Sequence, residues 1–251
     1  MKKVVIHPDY AFCADFINRI PEVFYAGGET IYKSRNEIKV FEVNGIKINV
    51  KQYKVPIFIN RIIYTFFRMT KAHRAYNYAF KLLDIGIDTH FPIAYIHFKK
   101  TGLIHRCYFI SLQSPYPRNM YEFGKDSLTG RESIIRSLAH YAAKLHDAGI
   151  YHKDFSPGNI LFQKTDDEVK FLLVDINRMK FGPVSIKKGC ANFARLWGNK
   201  EMFTLIAKEY AVARNADPDE CNHWVFYYRK RQWKKFARKY EIPFDVNYLA
   251  D

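Results

Sequence analysis

The residues most capable of chemistry stand together at 152–159. His152-Lys153-Asp154-Phe155-Ser156-Pro157-Gly158-Asn159 reads H-x-D-x-x-x-x-N, and Asp175 follows Asn159 by sixteen residues, after the apolar run Phe171-Leu172-Leu173-Val174. An Asp that takes a hydroxyl proton, with an Asn and a second Asp as oxygen ligands for Mg²⁺, is the working set of phosphoryl transfer. The spacing serves that chemistry. Asp154 must lie beside the nucleophile while Asn159 reaches a metal a few ångströms away, and Pro157-Gly158 turns the chain between them. Asp175 then approaches the same metal from a separate strand. Lys153, adjacent to Asp154, is placed by position alone to approach a γ-phosphate. Ser156 lies in the loop, but no His-Ser spacing marks it as a nucleophile.

A loop of this kind needs a helix before it and a strand after it. Ile134, Ile135, Leu138, Ala142 and Leu145 give the stripe of a long helix ending near Gly149, and Thr129 and Glu132 have capping-box spacing. Residues 160–163 and 169–174 read as a hairpin closed by Lys164-Thr165-Asp166-Asp167, and from about 187 the pattern is helical. The first half of the chain reads differently. Helical spacing over 9–20 is expected to stop at Pro21. Asn44-Gly45 is a hairpin signal, and the following strand puts Ile46, Ile48 and Val50 on one face and Lys47, Asn49 and Lys51 on the other. A helix over 71–85 is capped by Gly86, and strands follow at 93–98 and 104–112. The expected organisation is a β-rich lobe (1–112, with a helical N-terminal extension), a linker (113–125) and a helical lobe (126–251).

Composition limits the function classes. The 251 residues are 48% hydrophobic and 26% charged, a globular balance. Lys and Arg number 40 against 25 Asp and Glu, a net charge of +15, so the partners should be anionic. The four cysteines form no C-x-x-C pair and read as reduced thiols. His7-Pro8-Asp9 breaks the only signal-like start, and no apolar run reaches the ~18 residues of a membrane helix. The protein is expected to be cytoplasmic, or attached to a membrane from its cytoplasmic side.

With these motifs in order, the sequence resembles the protein-kinase-like superfamily, whose catalytic loop is H-x-D-x-x-x-x-N. Where that superfamily has D-F-G, this chain has Asp175-Ile176-Asn177-Arg178. The D-x-N-R form, the segment Gly189-Cys190-Ala191-Asn192-Phe193-Ala194-Arg195-Leu196, and Arg74-Ala75-Tyr76 with Leu82 through Thr89 are similar to the bacterial lipopolysaccharide kinases, over roughly residues 30 to 200. That family phosphorylates Kdo (3-deoxy-D-manno-octulosonic acid) or heptose of the lipopolysaccharide inner core. The resemblance implies an α+β, bilobal protein-kinase-like fold with a small β-rich N-lobe and a larger helical C-lobe. It implies ATP and Mg²⁺ as cofactors, Asp154 as the catalytic base and Asn159 and Asp175 as metal ligands. Lys51 takes the place of the nucleotide lysine, against the plainer reading of a solvated strand lysine like Lys47 or Lys54. Residues 108–116, with Leu112, take the place of the adenine hinge. His152 would be structural, bonding backbone near Asp175.

The departures carry expectations of their own. No G-x-G-x-x-G is present, so the turn Lys33-Ser34-Arg35-Asn36 is expected to cover the phosphates with basic side chains. No acidic residue lies between Glu42 and Asp84, so the usual helix Glu that pairs with the lysine is missing. Asn77 falls nearest its position, and Glu37 or Glu42 are the remaining candidates to hold Lys51. No A-P-E follows Asp175. Arg178 can brace the metal loop, meet an anionic acceptor, or lie on the surface.

Two further segments are distinctive. The apolar run 56–69 is first expected to be core beneath the small lobe, and second an amphipathic segment at a membrane or lipid-linked substrate. Seven of the eleven residues from Arg229 to Lys239 are basic. With Trp233 and Phe236 they are expected to form a solvated face that meets an anionic membrane or glycolipid. The function expected is phosphotransfer from ATP to a sugar hydroxyl of a lipid-linked anionic acceptor, with peripheral inner-membrane contact and no nucleic-acid partner. The alternatives are a kinase for a protein or small molecule, and a kinase-fold binding module with little catalysis.

Overall fold

The computed structural model describes residues 1–124, 127–242, 244 and 246–249 and divides the chain into two compact units, Met1–Pro115 and Tyr116–Asp251. The division falls inside the expected linker, whose last residue, Lys125, lies outside the described residues, as do Asp126 and Asp251 at the ends of the expected helical lobe.

The first unit is built on an antiparallel six-stranded sheet. It contains β1 (Lys2–Ile6), β2 (Glu29–Lys33), β3 (Glu37–Val43), β4 (Ile46–Tyr53), β6 (Pro92–Lys100) and β7 (Leu103–Leu112), in the order β1-β6-β7-β4-β3-β2. A two-residue strand, β5 (Asp88–Thr89), precedes β6. The start that reads like a signal sequence is the edge strand β1. Asn44 and Gly45 both have positive φ, 50° and 78°, as the expected tight hairpin requires. Ile48 and Val50 of β4, with Tyr108 and Ile110 of β7, are buried against α1 (Ala14–Ala26) through Ile17, Ile20 and Phe24.

Pro21 does not stop that helix; it sits inside it. A helical proline costs about 3 kcal/mol. Burying Ile17, Ile20 and Phe24, each worth ~1.5–3 kcal/mol, outweighs that.

The opposite sheet face carries Lys51, whose Cα is paired with Ile38 and Phe109. The next strand, β6, places Tyr95 beside Phe109. There α3 (Lys71–Leu83, capped by the Thr70 hydroxyl) covers the sheet, with the His73 ring stacked 4.7 Å from Tyr95.

The short helix α2 (Phe58–Phe66) overturns the expectation of a packed core: none of its residues is buried. Ile62, Ile63 and Tyr64 are only half-buried, alongside Arg61 and Thr65. Arg61 donates through Nε to the carbonyl of Ile104 at 2.8 Å, and the Ile104 N–H donates to the Thr65 hydroxyl at 2.9 Å. Arg61 and Thr65 therefore anchor the helix to the sheet, while Phe58, Ile59 and Phe66 are exposed, followed by Phe67 at 82% exposure.

The second unit is organised around α4 (Glu132–Asp147), whose Ile134, Ile135, Leu138, Ala142 and Leu145 are all buried. The expected capping box does not form. The helix starts at Glu132 without a side-chain cap, and Thr129 bonds the Ser127 hydroxyl instead. A short strand β9 (Ile150–His152) pairs with β12 (Met179–Phe181), and β10 (Ile160–Lys164) with β11 (Val169–Leu173). A two-residue strand, β8 (Arg118–Asn119), pairs with β10. α5 (Ile186–Cys190), α6 (Lys200–Ala213) and α7 (Pro218–Ala237) complete the unit.

The basic run on α7 is not a uniform solvated face. Arg229 is fully buried, its guanidinium 3.2 Å from the centre of the Phe203 ring, donating to the Leu196 carbonyl and the Tyr248 hydroxyl. Burial pulls its pKa down to about 10. Trp233 is 4% exposed and packs on Phe244 and Leu249. Trp233 is therefore core, which removes it from the membrane-facing role expected of it.

Candidate active site

The loop from β9 to β10 is held by its own histidine. The Asp154 N–H donates to His152 Nδ1 at 3.1 Å, so the ring proton sits on Nε2 and is donated to the Val174 carbonyl at 3.2 Å. Burial lowers the His152 pKa, consistent with this neutral, doubly bonded ring. His152 thus ties the Asp154 loop to the strand that delivers Asp175, and neither ring nitrogen is left for proton transfer.

Asn159 completes the turn. Its Nδ2 donates to the Asp154 carbonyl at 2.8 Å and to the Ser156 hydroxyl at 3.1 Å. Both amide hydrogens are used, so Oδ1 is the atom presented to a cation. Gly158 has a local reason: a Cβ there would come within 2.8 Å of the Tyr121 ring. The Val174 N–H donates to the Asn159 carbonyl at 3.0 Å, which sets Asp175 next to Asn159 at one end of the β10–β11 hairpin. Asp175 has the left-handed backbone φ 54°, ψ 37°, and its Oδ1 accepts from Asn177 Nδ2 at 2.8 Å. One amide oxygen and one carboxylate are hard oxygen donors of the kind Mg²⁺ takes alongside substrate phosphates. Among the described residues no group of three or more His, Cys, Asp and Glu gathers into a self-sufficient metal site. The donor set therefore fits a metal brought in with phosphates.

The Asp154 carboxylate is bracketed by two arginines. Arg178 Nη1 lies 2.9 Å from Oδ2 and Arg195 Nη1 lies 2.8 Å from Oδ1. A carboxylate has about four lone-pair sites, so each oxygen keeps one for a hydroxyl. Of the three roles open to Arg178, bracing is the one its contact supports. Arg195, forty-one residues from Asp154, carries no spacing signal that would mark it in the sequence. Lys153 follows the same loop, its backbone N–H directed to the Arg178 carbonyl at 3.4 Å.

In the first unit, Lys33 and Arg35 lie at the β2–β3 turn, with Lys33 Nζ 3.6 Å from Glu37 Oε1. Lys51 sits on the α3 side of the sheet, its Nζ 5.3 Å from the centre of the Tyr53 ring. The register removes both strand glutamates as its partner. Glu37 pairs with Gln52 and so lies on the other face. Glu42 pairs with Lys47, four residues along β3 from Ile38, or about 13 Å. Leu112 directs its N–H to the Phe91 carbonyl at 2.9 Å and accepts from His90 Nδ1 at 3.0 Å. A second carbonyl lone pair and the side chain are what it offers a base.

The fold is that of a protein-kinase-like phosphotransferase. A solved structure described as WaaP in complex with acyl carrier protein covers 95% of this chain and 100% of its own, at TM-score 0.63 and 15% identity. The kinase domain of Mycobacterium tuberculosis PknI aligns at TM-score 0.40 and 12% identity, covering 76% of this chain and 74% of its own. A Caenorhabditis elegans protein provisionally named ribosomal protein S6 kinase alpha-2 is 30% identical over 96 residues, 36% of this chain and only 12% of that protein's length.

Residues 28–204 match the Lipopolysaccharide kinase (Kdo/WaaP) family, and the chain belongs to it.

Proposed function

We propose that the chain transfers the γ-phosphate of ATP to a hydroxyl of Kdo or heptose in the lipopolysaccharide inner core. The observation that carries this reading is the loop geometry within the family match: Asp154 held by His152, and Asn159 and Asp175 joined through the Val174–Asn159 bond. Asp154 accepts the proton of the attacking hydroxyl, while Arg178 and Arg195 keep its carboxylate aimed. Asn159 Oδ1 and Asp175 hold Mg²⁺, which when bound neutralises charge on the β- and γ-phosphates. Lys153 approaches the γ-phosphate. Lys51 takes the α- and β-phosphates, Lys33 and Arg35 close over them, and Leu112 borders the adenine. In this reading residues 1–112 are the nucleotide lobe, 113–125 the linker and 126–251 the catalytic lobe.

The lipid-linked acceptor places the work at the cytoplasmic face of the inner membrane. Among the described residues no helix is long and apolar enough to cross a membrane. The outward apolar face of α2, with no acidic residue from 43 to 83, supports peripheral contact there.

The test is transfer of labelled phosphate from Mg-ATP to Kdo-lipid A, to heptosylated core and to a generic protein substrate. Label in the saccharide is expected. Label in the protein substrate alone overturns this reading in favour of a protein kinase, and ATP binding without transfer to any acceptor favours a binding module.

A further inference from the structure

A cleft of about 360 Å³ opens in the second unit between the catalytic loop, the 191–195 segment and α7. Four cations line it: Lys153, Arg195, Arg231 and Lys235. No carboxylate is among its lining residues. Its size falls in the range of small-ligand sites, ~300–1,000 Å³.

The α7 contribution has a clear origin. Cys221, Val225, Arg229 and Trp233 recur every fourth residue and are buried, which fixes the helix in the core. Tyr228, Arg231, Gln232 and Lys235 stand at i, i+3, i+4 and i+7 on the neighbouring face, and all four line the cleft. Of the seven basic residues of the run, helical geometry buries Arg229 and turns Arg231 and Lys235 towards the cleft. Arg195 is already paired with Asp154, whereas Arg231 and Lys235 bring two further positive charges to the same small concavity, a field that attracts an anion. Gln232 and Tyr228 add neutral hydrogen-bonding groups of the sort that orient a sugar. The cleft also adjoins the reacting carboxylate, because Arg195 lines it while donating to Asp154 Oδ1 at 2.8 Å.

We propose that this cleft binds the anionic group, carboxylate or phosphomonoester, of the acceptor sugar, read by Arg231, Lys235 and Gln232, with Arg195 linking that group to Asp154. The inference rests on the acceptor reading above and adds the residues that select for charge.

The test separates the two. Calorimetry without ATP measures binding of Kdo, of carboxyl-reduced Kdo and of mannose 6-phosphate to the wild-type chain, to Arg231→Ala/Lys235→Ala and to Lys235→Glu, a single change at an exposed position that guards against misfolding. Binding of MgATP is the control. Each lost charge-assisted bond is expected to weaken anionic-sugar binding about 10-fold or more. The neutral analogue should bind all three proteins equally, and MgATP binding should not change. The acceptor KM should rise by the same factor, with kcat at saturation retained. A wild type that binds Kdo and the phosphosugar no better than the neutral analogue overturns the cleft assignment, and so does a variant with undiminished anion binding. Loss of MgATP affinity in place of sugar affinity also overturns it, assigning the cleft to nucleotide. Preference for Kdo over mannose 6-phosphate, or the reverse, identifies which anion the cleft reads. Intact charge selection with no transfer to any core saccharide would leave the cleft standing and overturn the proposed reaction.

Discussion

Nδ2 of Asn192 donates to the carbonyl of His152 at 2.7 Å, joining two residues forty positions apart. Behind it runs a buried chain. His146 Nε2 donates to Asn192 Oδ1 at 3.0 Å, Tyr210 donates to His146 Nδ1 at 2.8 Å, and Arg214 Nη1 donates to the Tyr210 hydroxyl at 2.8 Å. Every donor in this chain of bonds has its acceptor, so the 152–159 loop is anchored to α4 and α6 by one satisfied network. Gly189 lies against it, and a Cβ there would collide with the Tyr210 hydroxyl.

Asn192→Ala should leave the His152 carbonyl and the His146 N–H buried without partners. At ~1–3 kcal/mol for each such group, unfolding stability should fall by about 2–6 kcal/mol. Urea unfolding followed by circular dichroism measures this. A loss below about 1 kcal/mol would mean that water replaces the amide and that the network does not hold the loop.

The same network makes stability depend on pH. Burial holds the His146 pKa at about 4 and that of His97, whose Nε2 is 2.5 Å from the Thr70 hydroxyl, also at about 4. In the unfolded chain both return to about 6.5. Between those values the unfolded state binds more protons, so stability falls as pH drops from about 6.5 towards 4, by about 3 kcal/mol per histidine. Tm measured from pH 7.5 to 4.5 should decline over this window. His146→Leu should start lower and show a shallower slope. An unchanged slope would place the acid sensitivity elsewhere.

That residues 152–159 and Asp175 come together was legible because they are close in sequence and joined by a short hairpin. The 38–51 hairpin was legible because an Asn-Gly turn and period-2 alternation are local signals. Arg195 was not, because contact with Asp154 is made by folding and leaves no periodic trace. Pro21 misled because local propensity lost to tertiary burial of Ile17, Ile20 and Phe24. Trp233 and the exposed α2 residues misled in opposite directions for one reason: apolar spacing marks a helix face but not whether protein or solvent covers it.

Asp154→Asn keeps the hydrogen-bonding shape of the loop but removes the proposed base. Positioned proton transfer is worth ~10²–10⁴-fold, so kcat should fall by about that factor with ATP affinity nearly unchanged. Steady-state kinetics with the core saccharide check both quantities. Retained turnover would take Asp154 out of the proton path.

Asp175→Ala tests the proposed metal contact. Nucleotide binding in the presence of Mg²⁺ should weaken, whereas binding in EDTA should change little, because the carboxylate acts on the phosphates only through the cation. Calorimetry with ATP under the two conditions reads the difference. Equal losses in both would mean that Asp175 shapes the loop and does not hold the metal.

The exposed side of α2 calls for a membrane test. Arg61 and Thr65 anchor the helix inward, leaving Phe58, Ile59, Phe66 and Phe67 outside. Two adjacent exposed phenylalanines leave apolar area in water, and a leaflet can bury them at ~1.5–3 kcal/mol each. Arg68 and Lys71 flank them, and each cation near an anionic surface contributes ~1 kcal/mol, screened by salt. Phe66→Glu/Phe67→Glu should therefore lower co-sedimentation with phosphatidylglycerol-containing vesicles at least 10-fold. Arg68→Gln should weaken it less and mainly at low salt. Neither change touches the catalytic loop, so phosphorylation of a short soluble acceptor should persist while KM for the lipid-linked acceptor rises. Undiminished vesicle binding by the double variant would assign membrane contact, if any, to the basic surface alone and leave α2 without this role.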